Sequence, residues 1–435
     1  MKVCLVTPGQ PSSNPRLVKE ADALVEAGHD VHVVASYFAD WATEADRALV
    51  AARRWTMTFV DWRRDVAPAL FHGSRVRHFA ARTLTTWAPG ARRMATASLS
   101  RVGPELRKAV DSARADLYVA HNLAALPIVG EVASARHAQA AFDAEDFHSG
   151  QLDETSDPRA VAFIRAVERQ WLPGCAYVTA AAPAIAAAYR DEYDIALPTT
   201  ILNVFPLRDR PVALRPHDAA APLRLYWFSQ TIGAGRGLEG VVDAMARLPR
   251  EAVELHLRGA WQAGYEEALR GRAAGQGLAR DRIVHHAPAA PDEMVRLAAD
   301  YDIGLAVEPG TTRNNRLAVS NKLFTYLLAG NAVIATATEG QATLASDVAG
   351  AVSWCEPRSV SSMADALKRW CADRGAVAEA RAESWRLGTS RFNWDIERQR
   401  YLDVVTAAVE SRASRRVEGK AVESAPVAGS AAPHA

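Results

Sequence analysis

Four consecutive apolar residues, Val3 to Val6, open the chain inside the run Lys2 to Thr7, too short for a helix and without the alternation of a half-exposed strand; they predict a strand buried on both faces. The segment PGQPSSNP then breaks the pattern. From Arg16 to Ala27 the apolar positions Leu17, Ala21, Leu24 and Val25 recur at helical spacing, Gly28 is placed to close that helix, and Val31 to Ala35 is a second β-branched run. Strand, helix and parallel strand form the unit of a doubly wound α/β sheet. Further strands are expected at Leu117–Ala120, Ala140–Phe142, Tyr177–Ala180 and Thr200–Leu202.

The segment 206–222 is punctuated by prolines and has little apolar periodicity, which places a boundary near 210. After it the pattern restarts, with strands at Leu223–Phe228, Val253–Arg258, Ile283–His285 and Ile303–Val307, a helix at Leu238–Leu248, and a strand after Gly330. The expected organisation is an N-terminal Rossmann-like domain over 1–210 and a second over 211–390. A helix over 391–410 would cross back to the first domain, and a small, polar tail over 411–435 would lack regular structure. Two such sheets gather ligands at the C-terminal ends of their strands.

At 435 residues, 49% hydrophobic and 23% charged, the chain can build two cores, and a net charge of +1 excludes global attraction to nucleic acid. Cys4, Cys175, Cys355 and Cys371 are scattered, with no C-x2-C pair, so neither a zinc site nor a disulfide framework is indicated, and a reducing, cytoplasmic setting is expected. The N-terminal apolar run is far short of a signal-peptide core, and no later run approaches a bilayer span.

Two segments point to anion binding. FSQTIGAGRGLE, Phe228 to Glu239, joins a strand through a Gly-bearing loop to a helix, with Gly235, Arg236 and Gly237 at the helix start. It reads either as a diphosphate seat or as a tight turn with a solvated Arg. In AVSNKLFTYLLAGNAVI, Ser320 and Asn321 suit a helix N-cap and Lys322 sits in the first turn, where a cation opposes the helix dipole unless an anion docks there. The alternative is a capped helix with a solvated Lys. Asp143, Glu145, Asp146 and His148 cluster after a strand end, as acceptor-side groups or as a solvated acidic loop. Between 51 and 110, twelve Lys and Arg stand against three Asp and Glu. Trp55, Trp62, Phe71, Phe79 and Trp87 interleave with them, which suits an anionic membrane surface or, alternatively, an Arg-rich solvated face.

FSQTIGAGRGLEGVVDAM, followed by NNRLAVSNKLFTYLLAGNAVIAT, resembles the donor half of the GT-B glycosyltransferases, specifically the retaining family 4-like group. PSSNPRLVKEADALVEAGHDVHVVA, DLYVAHNLAALP, FDAEDFHSG and ILNVFPL are similar to that group's acceptor half, and the match spans roughly residues 1–405. The resemblance implies an NDP-sugar-dependent hexosyltransferase of polysaccharide or cell-envelope biosynthesis, with a glycan or lipid-linked acceptor and no required metal. Arg236 and Lys322 would hold the donor diphosphate, with Gly235, Gly237, Ser320, Asn321 and Thr325 on the donor. His121 would contact the sugar, and Ser13, Asn14, Arg16, Asp146 and His148 would serve the acceptor side. The chain departs from the group at Leu317 and Thr325, where two glutamates are usual. That departure motivates the alternative of a nucleotide- or glycan-binding relative that has lost transfer; a sugar-nucleotide epimerase shares the architecture.

Overall fold

The computed structural model describes residues 1–87, 94–216, 220–249 and 252–423. Seven strands form the first sheet: β1 (Lys2–Val6), β2 (Asp30–Tyr37), β3 (Thr56–Asp61), β4 (Leu117–His121), β5 (Gln139–Ala144), β6 (Cys175–Ala180) and β7 (Thr199–Thr200). Their order is β3-β2-β1-β4-β5-β6-β7, and the pairs are parallel. Six strands form the second: β8 (Leu223–Ile232), β9 (Val253–Trp261), β10 (Ile283–His286), β11 (Ile303–Ala306), β12 (Ala332–Thr336) and β13 (Val352–Cys355). Their order is β10-β9-β8-β11-β12-β13, again parallel. Each sheet reverses direction of winding once, between β1 and β4 and between β8 and β11, and these switch points are where loops part and leave room for a ligand.

The apolar runs account for the central strands. Val3 to Val6 are buried and pair with β2 on one side and β4 on the other; each such side chain contributes roughly 1.5–3 kcal/mol when removed from water. The first helix, Pro15–Glu26, starts at Asn14, whose Oδ1 accepts the Leu17 N–H at 3.1 Å, and ends where Gly28 takes φ +86° and His29 N–H donates to the Leu24 carbonyl. In the second sheet Gly304 on β11 admits the ring of Tyr326 from the helix Asn321–Ala329: a Cβ there would stand 2.1 Å from the ring.

Two strands lie outside the sequence expectation. β3 and β13 are edge strands with partly exposed positions, so neither shows a buried apolar run. The C-terminal helix, Trp394–Glu423, continues into the segment expected to lack regular structure, of which 424–435 lie outside the described residues. Its start is tied to the first domain: Trp394 N–H donates to the Phe205 carbonyl, and the Leu202 and Leu207 N–H groups donate to Glu397 and Asp395.

Part of the positive charge of region 51–110 is met by acids that its own sequence window does not contain. Arg53 pairs with Asp22, Arg63 with Asp40 as well as Asp61, and Arg107 with Glu131. Trp55 is buried and donates to Asp22, and the Arg101 guanidinium lies over the rings of Trp62 and Phe71. Arg92, Arg93 and the side chain of Trp87 lie outside the described residues.

Gly304→Ala is expected to cost about 1–3 kcal/mol by overpacking the strand against Tyr326, read as a lowered denaturation midpoint. Gly271→Ala, on the helix Tyr265–Gly275 with nothing within 4 Å of the added Cβ, is expected to be neutral or slightly stabilising. Equal effects at the two sites would contradict the packing described.

Candidate functional site

β8 runs to Ile232 with a register shift between Phe228 and Thr231, and the chain then turns through Gly235 (φ +75°) and Gly237 (φ +80°) into the helix Leu238–Met245. Both glycines occupy the left-handed region that a side chain disfavours, and the turn they allow leaves Arg236 exposed at the helix start. Arg236 has no hydrogen bond or ion pair among the described residues.

The helix Asn321–Ala329 follows β11 and closes at Gly330 (φ +78°). Ser320 is its N-cap residue, but its side chain makes no cap bond. Its hydroxyl donates instead to Glu308 Oε1 at 2.8 Å, so the N–H groups of the first turn are left without a side-chain acceptor from the cap. Lys322 Nζ lies 3.7 Å from the same Glu308 oxygen and 5.3 Å from the centre of the Trp227 ring on β8. The ammonium thus rests over the strand that leads to Arg236, at the switch point of the second sheet. Glu308 is held in place by its backbone, which exchanges hydrogen bonds with the Thr336 hydroxyl on β12.

Thr325 does not join this group. It is fully buried, and its hydroxyl donates to the Asn321 carbonyl one turn back, so the expectation that it meets a donor fails on direction. Leu317 is also buried. The carboxylate beside Lys322 is Glu308, which follows β11 and comes from neither of the helix positions 317 and 325.

On the first domain, Arg16 and His121 prove to be interior. Arg16 is fully buried, with Nε and Nη2 donating to the two oxygens of Asp143 at 2.7 Å and Nη1 donating to the Ile201 carbonyl at 2.6 Å. Thr179 adds a hydroxyl to Asp143 at 2.6 Å. His121, at the end of β4 and also fully buried, stands 3.4 Å from Glu20 through Nε2 and 3.4 Å from Asp143 through Nδ1. Neither residue presents an atom to a ligand, which corrects their assignment to sugar and acceptor; both lock the helix Pro15–Glu26 onto β4 and β5.

The electrostatics of this cluster follow from enclosure. Burial alone would hold His121 neutral, but Glu20 and Asp143 outweigh it and its pKa rises. Burial also lifts Asp143, yet the Arg16 guanidinium and the His121 ring hold its carboxyl well below the usual range. Glu20 is pushed up to about 7 by burial and by Asp143. Ligand atoms of Glu20, His121 and Asp143 lie within 4.8 Å of one another, a spacing able to hold a cation, and the Arg16 guanidinium already supplies positive charge to both carboxylates.

The remaining acceptor-side expectations divide. Ser13 is exposed with its hydroxyl donating to the Gln10 carbonyl, and Asn14 serves as helix cap while its Nδ2 is buried without a partner. Asp146 has both oxygens engaged, by Asn314 Nδ2 and Gln151 Nε2 at 2.8 Å each, and His148 is buried against Phe142 with its pKa lowered by burial. Glu145, which precedes them on the same loop, has no hydrogen bond or ion pair among the described residues, is half-buried, and is pushed up to about 7 by burial and by Asp143. A cavity of about 480 Å³ among Lys2, Asp30, His32, Thr56 and Lys108 lies at the opposite, N-terminal ends of β1 to β3, away from these groups.

Because the Glu20 pKa is raised in the folded chain, the fold binds a proton there that the unfolded chain releases, and this contribution is lost as pH rises from about 4.5 towards 7. The stability difference between wild type and Glu20→Gln is therefore expected to shift in favour of the variant from pH 5 to pH 8, measured by chemical denaturation. A shift in favour of wild type would contradict the assigned charge state.

No family model and no curated protein sequence matches the chain. Its fold does match solved structures. That of HepE (Alr3699) from Anabaena in complex with UDP and glucose aligns with a TM-score of 0.67 at 14% identity, covering 94% of this chain and 100% of that one. Sucrose-phosphate synthase from Thermosynechococcus elongatus aligns with a TM-score of 0.65 at 15% identity, covering 94% and 100%. Trehalose-6-phosphate synthase OtsA aligns with a TM-score of 0.63 at 10% identity, covering 93% and 99%. With a seven-stranded and a six-stranded parallel sheet arranged as in these proteins, the chain has the GT-B glycosyltransferase fold.

Proposed function

We propose that the chain transfers a hexosyl group from a nucleoside diphosphate sugar to a hydroxyl of a glycan or lipid-linked acceptor, with retention of configuration and without a required metal. The observation that carries this reading is the pairing of two helix starts on adjacent strands β8 and β11, one with Arg236 exposed on a positive-φ turn and the other with Lys322 over Trp227. Open N–H groups, a guanidinium and an ammonium at the ends of neighbouring strands are the donors a diphosphate takes. As the sugar leaves, negative charge grows on the diphosphate, and groups already oriented towards it lower the barrier without reorganising. In the complex Glu308 exchanges Lys322 and Ser320 for donor hydroxyls, taking the part of the carboxylates missing at 317 and 325. Glu145, with a carboxyl titrating near neutrality, is placed to accept the proton of the incoming hydroxyl. The UDP and glucose of the HepE complex support the donor class.

A second reading keeps binding and drops transfer, and the burial of Thr325 favours it, since no carboxylate or hydroxyl on that helix reaches a ribose. Titration separates the two. UDP and UDP-glucose are expected to bind the wild type. Arg236→Ala and Lys322→Ala are each expected to weaken binding by about ten- to a hundredfold, the loss of one charge-assisted hydrogen bond, without lowering the melting temperature. Normal binding by either variant would contradict its role. Saturating binding with no glucose release or transfer would leave the second reading.

The reading includes a cytoplasmic location with docking on an anionic membrane surface. On the helix Pro68–Trp87, Ser74, Ala81 and Thr85 pack inward, while Val76 and Phe79 on the opposite side are more than 70% exposed and Leu84 on the flank is 54% exposed. The exposed Arg54, Arg64 and Arg75 have no ion-pair partner among the described residues. No helix among the described residues is long and apolar enough to cross a membrane. Vesicles containing phosphatidylglycerol are expected to float the wild type but not Val76→Asp/Phe79→Asp. Equal flotation of the two, or none at low salt, would contradict the docking face.

A further inference from the structure

The segment following β11 serves both domains. It leaves Glu308 at the donor end, turns at Gly310 (φ +65°), and forms a short helix, Arg313–Leu317, whose start is capped by Thr312 Oγ1 accepting the Asn315 N–H at 3.1 Å. Six residues beyond Glu308, Asn314 is buried between the domains. Its Oδ1 accepts the Phe147 N–H at 2.7 Å and its Nδ2 donates to Asp146 Oδ1 at 2.8 Å. Both atoms of one amide are thus spent on the loop that follows β5.

Neighbouring contacts make this a fitted joint. Arg313 donates to Glu192 Oε2 at 2.5 Å, and its guanidinium lies 4.5 Å over the ring of Phe147. Phe147 is fully buried and meets Tyr189 edge-on at 5.0 Å, while the Tyr189 hydroxyl donates to the Asp146 carbonyl. At Gly150 a Cβ would stand 2.7 Å from Phe147, 3.0 Å from Arg313 and 3.1 Å from the Asn314 nitrogen, so the two segments approach as closely as a bare backbone permits. Behind the donor segment, a Cβ on Gly340 would stand 2.0 Å from the Leu317 carbonyl oxygen, which leaves the short helix no room to retreat.

We infer that Asn314 is an interdomain positioning residue, fastening the segment 308–317 to the loop 145–150 so that Glu145 takes its place only while the two domains are joined. The amide is suited to this because one end accepts and the other donates; an aspartate at 314 would still accept from Phe147 but would turn a second carboxylate on Asp146. The joint itself stands on the contacts above. Only the meaning of Glu145 as an acceptor-side group rests on the transferase reading.

The test is hydrogen exchange at the amides of 146–150 in the full chain without nucleotide, for wild type, Asn314→Ala, Asn314→Asp and Asn314→Asp/Asp146→Asn. Both single variants are expected to exchange at least tenfold faster at Phe147. In Asn314→Asp the loss should be larger at pH 8 than at pH 5, because protonating one carboxyl restores a donor. The double variant exchanges the two groups, so that an amide at 146 donates to a carboxylate at 314; it is expected to return to within about threefold of wild type and to lose the pH dependence. If Asn314→Asp does not fold, Asn314→Ala carries the same expectation without added charge. Unchanged exchange in the single variants, or a double variant no better than Asn314→Asp, would overturn the proposal. Adding UDP separates the two levels: slowed exchange only with intact Asn314 supports both, whereas a joint that behaves as expected and ignores saturating UDP leaves Asn314 in place and removes the transferase reading.

Discussion

A lysine in the first turn of a helix is electrostatically misplaced, because the N-terminus already carries about half a positive charge. In this chain Lys322 is kept there by Glu308 on one side and by the face of Trp227 on the other, and Ser320 spends its hydroxyl on Glu308 rather than on capping. This helix start is therefore positive in two ways, from open N–H groups and from the ammonium, with the Glu308 carboxylate in partial compensation. A diphosphate would relieve this concentration of charge. The glycine turn after the neighbouring strand β8 leaves Arg236 exposed at a second helix start.

The first domain solves a different problem by opposite means. Arg16, Glu20, His121 and Asp143 are titratable groups with no exposure, and they are tolerable because each faces a partner of opposite character within 3.4 Å. Their role is to fix the first helix and the ends of β4 and β5, and so to aim the loop carrying Glu145 and Asp146. That loop meets Asn314, and Asn314 is six residues from Glu308. The interior charge network, the loop after β5 and the segment carrying Glu308 are consecutive parts of one packed path.

The architecture was legible because central strands of a parallel sheet are continuous apolar runs, as in β1, β4, β8 and β11, and because Gly28 and Gly330 end helices in the left-handed region that favours glycine. Edge strands β3 and β13 lack that signature. That Arg236, Ser320 and Lys322 stand at helix starts could be read from local spacing, since strand, turn and helix start are contiguous. Arg16 and His121 could not be placed, because their partners lie far along the chain: the Arg16 contacts with Asp143 and Ile201 span 127 and 185 residues. The same holds for the arginines of 51–110, whose acids Asp22, Asp40 and Glu131 come from outside that window, and for Asn314, whose function exists only across the domain boundary.

The central claim is that Lys322 and Arg236 share one diphosphate, and a crystal structure of the chain grown with saturating UDP tests it most directly. The terminal phosphate is expected within hydrogen-bonding distance of both Lys322 Nζ and the Arg236 guanidinium, with Glu308 turned away from the ammonium. A nucleotide bound elsewhere, or a Glu308–Lys322 pair unchanged beside an empty site, would contradict it.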